Sequence, residues 1–367
     1  MIFSLEALHA KYGDSLLLRY GDPAEPRLVM IDGGPRGTYK RALKPRLEEL
    51  REAAGGTLTI DVLMVSHIDS DHIKGVLDFS QDLIDNPPLR SGYLVSNLWH
   101  NSFEDIVASA GEGAGGAAIP SSMEAVIASV NEGRQLHNNA AGLHWPQNEG
   151  FAGFVMAPGD KGVPVDLDPL KLTVIGPRQA ELDALREEWA KEIAKLQKEG
   201  KLTPAEAGEP VDTRAPNLSS ITCVAELGEK TMLLTGDALG EKVLAELETA
   251  GFLPAEGTME VDLLKVPHHG SSYNNPPKLF SRVRSPRIVI SANGKDDNPD
   301  LPTLERLSAA RPDDDFTIYL TETDFVDGVG DTIRDFFARE KAAGRKYEVV
   351  FTPEDELLRL DLLDPLD

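Results

Sequence analysis

One stretch constrains this chain more than any other: Ile60-Asp-Val-Leu-Met-Val-Ser-His67-Ile-Asp69-Ser-Asp71-His72-Ile-Lys-Gly75. Its first half, Ile60 to Ser66, is apolar, β-branched and too short for a helix, so it reads as one buried strand. Two imidazoles and two carboxylates then fall between positions 67 and 72, on the turn before a helical pattern that starts near Ile73. Carboxylates crowded this closely repel one another unless a cation neutralises them, so the cluster asks for a divalent ion. Imidazole with carboxylate suits zinc, manganese or iron. The single cysteine, Cys223, lies far off in sequence, which excludes a multi-thiolate site.

The rest of the chain supplies the frame. Three strands are expected at the start, Phe3–Ala10, Ser15–Tyr20 and Leu28–Ile31, the last ending in Asp32-Gly-Gly, which would place a carboxylate at a sheet edge. Residues 39–53 read as an amphipathic helix with Leu43, Leu47 and Leu50 on one side and Pro45 at a kink or in the first turn. From Val76 to about Asp166 the pattern weakens, apart from a helix near Ser121–Glu132, and this stretch is expected to be an insertion covering the site. His100, His137 and His144 fall in it and are assigned surface or local hydrogen-bonding roles.

A strand at Leu170–Ile175 precedes the clearest helix, Gln179–Lys198, whose stripe of Leu182, Leu185, Trp189, Ile193 and Leu196 is core packing, and then a loop over 199–216. Ser219–Leu227 and Lys230–Thr235 form a hairpin around Gly228-Glu229, closed by Gly236-Asp237. A helix over Leu239–Ala250 is followed by an apolar strand, Val261–Val266, that runs into Pro267-His268-His269-Gly270-Ser271-Ser272, a second histidine cluster. Ile288–Ser291, a helix at Pro302–Ala310 and Phe316–Leu320 follow.

Composition limits what such a site can serve. With 367 residues and 41% hydrophobic content the chain can bury a full core, and one cysteine rules out an intramolecular disulfide framework and fits a reducing compartment. No run approaches 18 apolar residues and the N-terminus opens directly into a strand pattern, so a soluble cytoplasmic protein without a membrane anchor is expected. A formal charge of −24 argues against broad attraction to nucleic acid and leaves room only for a local basic groove.

Asp32-Gly-Gly after a strand, His67-x-Asp69-x-Asp71-His72, Thr235-Gly236-Asp237 and Val266-Pro267-His268-His269-Gly270-Ser271 resemble, in order and type, the motifs of the metallo-β-lactamase superfamily. The aspartate in place of the usual second histidine of the first cluster, the Pro-His-His-Gly-Ser ending and the opening Tyr12-Gly13-Asp14-Ser15 look like the domain of late-competence DNA-channel proteins. The resemblance implies one α/β domain over residues 1–367, a four-layer αββα sandwich with an insertion at about 77–166. It further implies that His67, Asp69, Asp71, His72, Asp237 and His269 surround one or two divalent ions, zinc or manganese, with Asp32 behind them and His268 on the substrate side. The choice of His269 as ligand follows from laying Pro267-His268-His269-Gly270 over the Pro-Gly-His-Gly ending common in the superfamily.

Two departures stand out. Asn217-Leu-Ser-Ser-Ile occupies the place of a further expected histidine, and Asn298-Pro299-Asp300 stands where the late-competence group usually has histidine before proline. An amide oxygen from Asn217 binds zinc poorly, whereas manganese tolerates oxygen-rich shells. A site of this kind works by Lewis-acid polarisation and by lowering the pKa of bound water toward about 7, giving hydroxide at neutral pH. In this reading Asp71 orients the water, Asp237 bridges two ions, His268 serves the leaving group, and Lys74, Lys265, Ser271 and Ser272 are the nearest phosphate donors. The resulting expectation is a metal-dependent hydrolase, a phosphodiesterase or nuclease with DNA or nucleotides as substrate and protein partners unknown. Two alternatives stay open: a lactonase or other ester or amide hydrolase of the same fold, and a non-catalytic metal-binding regulatory module.

Overall fold

The structure, a computed structural model, describes residues 1–101, 124–179, 182, 219–326 and 328–363, with backbone alone for 124–131. Asn217, most of the helix expected at Gln179–Lys198 and the loop at 199–216 lie outside these residues.

Alternation along the strands dictates the layers. In β3 (Glu25–Ile31), Val29 and Ile31 point into one core while Leu28 and Met30 point into another, as the two-residue period of a strand requires when both faces are covered. The first core lies between two sheets. One sheet runs β18 (Leu358–Asp361), β1 (Ile2–Ala7), β2 (Leu16–Asp22), β3, β5 (Val62–Met64), β7 (Leu98–Trp99). The other runs β17 (Glu348–Phe351), β16 (Thr317–Leu320), β15 (Arg287–Ile290), β13 (Leu263–Lys265), β11 (Lys230–Leu234), β10 (Thr222–Leu227), β9 (Lys171–Gly176), β8 (Val163–Asp166). Their outer faces are covered by helices. Leu43, Leu47, Ile73 and Val76 pack on the first sheet, and Val243, Leu247, Leu304 and Ile333 on the second. The result is the four-layer αββα sandwich expected from sequence.

Each sheet is half antiparallel and half parallel. β3, β5 and β7 run parallel in the first sheet, and β11, β13 and β15 in the second. Ligand sites in open α/β sheets form beyond the carboxyl ends of parallel strands, where loops can present polar groups without breaking a ladder. Here those ends carry Asp32, Ser66-His67 and His100 from the first sheet, and Asp237, His268-His269 and Ser291 from the second. The register Ala7↔Leu16↔Ile31 brings the loop between β1 and β2, residues 8–15, to the same end.

Three expectations need correction. The single strand expected over Ile60–Ser66 is two, β4 (Leu58–Ile60) in a small separate sheet and β5 in the main one. Asp61 divides them: it is buried, accepts a hydrogen bond from Tyr20 Oη at 2.8 Å and pairs with Arg27 at 2.7 Å, and ionised groups go inside only with such partners. The strand expected over Val261–Val266 is likewise shortened to β13, with β12 (Met259–Glu260) diverted to pair with β14 (Val283–Arg284). The helix over residues 39–53 begins as a π-turn, Tyr39–Leu43, before the α-helix Lys44–Ala53, with Pro45 in its first turn, where its missing N–H costs nothing. Within 77–166, the helix Ser70–Asp85 runs on past the metal motif, β7 joins the first sheet and β8 the second. Among the described residues no helix is long and apolar enough to cross a membrane.

Candidate metal centre

The first cluster is positioned by the turn between β5 and the helix Ser70–Asp85. The second sits on a 3-10 turn, Pro267–Gly270, in which His268 and His269 adopt left-handed backbone at φ 47° and 53°. The two meet across the sandwich around Asp237. His72 Nε2 stands 3.3 Å from Asp237 Oδ1, while His67, His268 and His269 Nε2 lie 3.8, 3.6 and 3.5 Å from Asp237 Oδ2. Asp69 and Asp71 flank this centre, 3.6 Å from His67 Nε2 and 3.5 Å from His269 Nε2 respectively.

The hydrogen bonds fix which ring nitrogens face inward. His72 Nδ1 donates to Asp32 Oδ2 at 2.8 Å and His269 Nδ1 to the Ser291 carbonyl at 2.8 Å, and those oxygens can only accept. Ser66 Oγ donates to Asp32 at 2.7 Å, which leaves it to accept from His67 Nδ1 at 3.1 Å. All three neutral rings therefore turn Nε2 lone pairs toward one point. Those of His72 and His269 face each other at 3.2 Å, an arrangement that needs a proton or a cation between them. Two ligands about 2.1 Å from a tetrahedral ion stand roughly 3.4 Å apart, so the spacing suits a metal. His67 Nε2 and Asp237 Oδ1 are buried with no hydrogen-bond partner, as ligand atoms would be. The groups His67/His72/Asp237 and Asp71/His72/His269 each gather ligand atoms within 4.8 Å.

Electrostatics agree. Burial opposes protonation of His72, but the charges of Asp237, Asp32 and Asp71 outweigh it and raise its pKa well above the ordinary imidazole value. Burial also opposes protonation of His269, yet Asp237 and Asp71 lift its pKa to about 10. Conversely, burial is overcome at Asp237 by His72, His269 and His268, and at Asp71 by His72 and His269, so both carboxylates sit well below the usual range. A cluster that pulls protons onto its imidazoles is short of positive charge, and a divalent cation would meet that need in their place.

Residues 12–111 match the family model of the metallo-beta-lactamase superfamily. That segment is similar to the metallo-beta-lactamase superfamily, in keeping with the resemblance carried by the motifs. The matched segment includes Asp32 and the His67–His72 cluster and ends before Asp237 and the 268–269 pair. Recombination protein 2 of Haemophilus influenzae is 34% identical over 85 residues, 23% of this chain and 10% of that protein, so the match spans a tenth of the curated relative's length. Among solved structures, the metallo-beta-lactamase fold protein YhfI from Bacillus subtilis aligns at 12% identity and TM-score 0.43, covering 98% of this chain and 100% of that one. CmlA, a diiron beta-hydroxylase from Streptomyces venezuelae, aligns at 12% identity and TM-score 0.39 over 98% of this chain and 54% of that one. The superfamily match, together with the clustered ligand atoms, supports divalent-metal binding and metal-dependent hydrolysis in general terms.

The phosphate-donor candidates fare unevenly around this candidate metal centre. Lys265 is 1% exposed and pairs with Asp14 at 2.6 Å, so it does not reach a substrate. Lys74 lies 3.5 Å from Asp78 and 3.9 Å from Glu132. Ser271 and Ser272 are half-buried beside His268, the peptide N–H of Ser272 donating to Asp300 Oδ2 at 2.6 Å. Asn298-Pro299-Asp300 serves as a buttress, with the Asp300 N–H donating to the Gly270 carbonyl at 3.2 Å. His268 bonds Asn274 Oδ1 through Nδ1 at 2.9 Å, keeps Nε2 3.6 Å from Asp237 Oδ2 and is 27% exposed. His100 is buried and, with the exposed His137, lines a cavity of about 420 Å³ together with Gln147, Phe151 and Phe154; His144 is exposed. Sequence reasoning gave no role to Ser66, the hub between Asp32 and two histidines, or to Asn274. Adjacency to His67 was the only available signal for Ser66.

Proposed function

We propose that this chain is a metal-dependent phosphodiesterase or nuclease acting on DNA or nucleotides. The observation that carries the reading is the convergence of four imidazoles and two flanking aspartates on Asp237, in two overlapping ligand groups that share His72. His67, Asp69, Asp71, His72, Asp237 and His269 would hold one or two cations. When bound, these supply Lewis-acid polarisation and a lowered pKa for coordinated water.

The chain's own residues do the rest. Asp71, ionised and a quarter exposed, orients the attacking water by accepting its hydrogen bond. His268, partly exposed beside Asp237, delivers a proton to the leaving oxygen. The half-buried Ser271 and Ser272 would donate their hydroxyls to phosphate oxygens. The late-competence resemblance and the Haemophilus Recombination protein 2 segment favour a nucleic-acid substrate.

One observation favours the rival lactonase or ester and amide hydrolase: both lysines nearest the motifs are engaged by carboxylates, and the chain carries a charge of −24. Elemental analysis followed by turnover of bis-p-nitrophenyl phosphate, a short DNA, a lactone and a chromogenic lactam separates the two. Phosphodiester turnover is expected, with manganese supporting it at least as well as zinc because the ligand set is rich in oxygen. Metal-loaded protein that opens only the lactone or lactam overturns the phosphodiesterase reading.

A further inference from the structure

We propose that Asp14 and Lys265 form a buried charge pair that positions the His269 imidazole from behind, and that metal affinity depends on the pair; this rests on the metal-binding reading above. The two side chains are each 1% exposed and 2.6 Å apart. Ion pairs buried this deeply are weak sources of stability, since apolar residues of similar volume usually serve as well, so their surroundings must explain them. Asp14 uses only Oδ2 on the lysine. Its Oδ1 is buried, has no hydrogen-bond partner and stands 3.7 Å from His269 Nδ1, and an Asp14 carboxylate oxygen lies within 4.8 Å of ligand atoms of both His269 and Asp237.

The loop that carries Asp14 has little freedom to move. A Cβ on Gly13 would fall 1.9 Å from the Asp71 carbonyl oxygen. Ser291 Oγ donates to the Gly13 carbonyl at 2.6 Å, and the Asp14 N–H donates to the Asp71 carbonyl at 3.3 Å. Asp14 thus holds its carboxylate 3.7 Å from His269 Nδ1 and its main chain against that of Asp71. Lys265 reaches it from β13 of the second sheet, whereas Asp14 belongs to a loop of the first, so the pair pins the sheets together directly under the site. With the Nδ1–H of His269 given to the Ser291 carbonyl, the Asp14 carboxylate acts on the ring through its negative charge, which strengthens the free nitrogen as a donor, and the lysine keeps that carboxylate from standing as an uncompensated buried anion. Asp14 and Lys265 are positioning residues. Neither touches the reacting atoms.

The test is the double variant Asp14→Asn/Lys265→Met in the full chain, stripped with a chelator and titrated with zinc and with manganese against a chromogenic competitor. The expected result is a fold retained by circular dichroism and an affinity lowered by about 10- to 100-fold, the usual effect of removing an outer-shell partner, together with a shifted ligand-field spectrum in the cobalt-substituted protein. Equal affinity and an unchanged cobalt spectrum in folded wild type and variant overturn the proposal. If the double variant does not fold, Asp14→Glu decides: it keeps both charges but displaces the carboxylate from His269, and unchanged affinity there also overturns the pair's role. A wild type that binds neither ion overturns the metal reading itself, and a wild type that binds ions but cleaves no phosphodiester leaves this inference standing while removing the phosphodiesterase.

Discussion

The two sheets bring histidines to one point by different means. His67 and His72 ride on ordinary backbone, a strand end and the first turn of a helix, and are aimed by side chains: Asp32 accepts from His72 and Ser66, and Ser66 accepts from His67. His268 and His269 ride on left-handed backbone and are aimed by the Ser291 carbonyl and the Asn274 amide oxygen. Left-handed conformations in non-glycine residues cost about 1–3 kcal/mol each, and they persist only where the surroundings over-determine them. The Asp300 N–H on the Gly270 carbonyl and the His268 N–H on the Gly236 carbonyl supply that restraint here. One half of the centre thus rests on ordinary backbone and the other on a left-handed turn held by main-chain hydrogen bonds, and the two should fail differently.

The largest effect should come from the ligand the two halves share. His72→Ala removes a member of both overlapping groups, and elemental analysis should find most of the metal gone with turnover at background. Full occupancy in that variant would sink the centre as drawn. Next come the two residues that act beside the metal. Asp71→Asn keeps shape but loses charge, so it should retain much of the metal while phosphodiester turnover falls about a hundredfold or more, and His268→Ala should retain metal with a smaller loss of turnover.

The comparison itself is sharpened by Asp32→Ala against Gly270→Ala. Asp32→Ala should lower metal affinity by about 10- to 100-fold with little change in folding, because it frees a ring without disturbing the backbone. Gly270 has φ +84°, and an added Cβ would lie 2.7 Å from Pro299 Cβ, so Gly270→Ala should cost about 1–3 kcal/mol of stability, read as a lower melting temperature even with metal removed. Equal losses of affinity and stability in both variants would erase the distinction.

The smallest effect is one of pH on the metal-free protein. The raised histidines contribute stability that is fully present below about pH 6.5, their ordinary value, and is lost as pH climbs toward about 10, where His269 titrates. The depressed Asp71 and Asp237 contribute above about pH 4 and lose that contribution in acid. Chelated protein should therefore melt at a lower temperature at pH 9 than at pH 6, and saturating zinc should narrow the gap because the ion replaces the protons. A melting temperature that rises from pH 6 to pH 9 without metal would contradict the charge balance assigned to the cluster.

How much of this was legible beforehand follows the same division. The first cluster was: His67-x-Asp69-x-Asp71-His72 after an apolar run signals both a turn and a cation-seeking group, whereas Asp32 at a strand end reads alone as an ordinary turn residue and gains a place behind the cluster only through the superfamily resemblance. The adjacency of His268 and His269 gave the second cluster, but nothing in two histidines announces left-handed backbone, which their neighbours impose. Asp61 read as part of one strand because its partners, Tyr20 and Arg27, come from a different hairpin. Lys265 read as a phosphate donor for the same reason, since a lysine ending an apolar strand looks solvent-facing until Asp14 is brought to it by the fold. Local pattern reports periodicity and residue type; it does not report which distant charge will satisfy a buried one.

The placement of Asp237 opposite His67 and His72 has a mechanical consequence. One carboxylate belongs to the second sheet and the two rings to the first, with gaps of 3.3 and 3.8 Å between them. A strand advances about 3.3 Å per residue, so sliding one sheet over the other by a single position would pull every such pair out of reach. The centre is therefore a gauge of how the two sheets are registered. Damage to the layer between them, at Trp99 or Val174 for example, should appear as weakened ion binding while the chain is still folded, much as a vernier shows a misalignment too small to see in the frame it is mounted on.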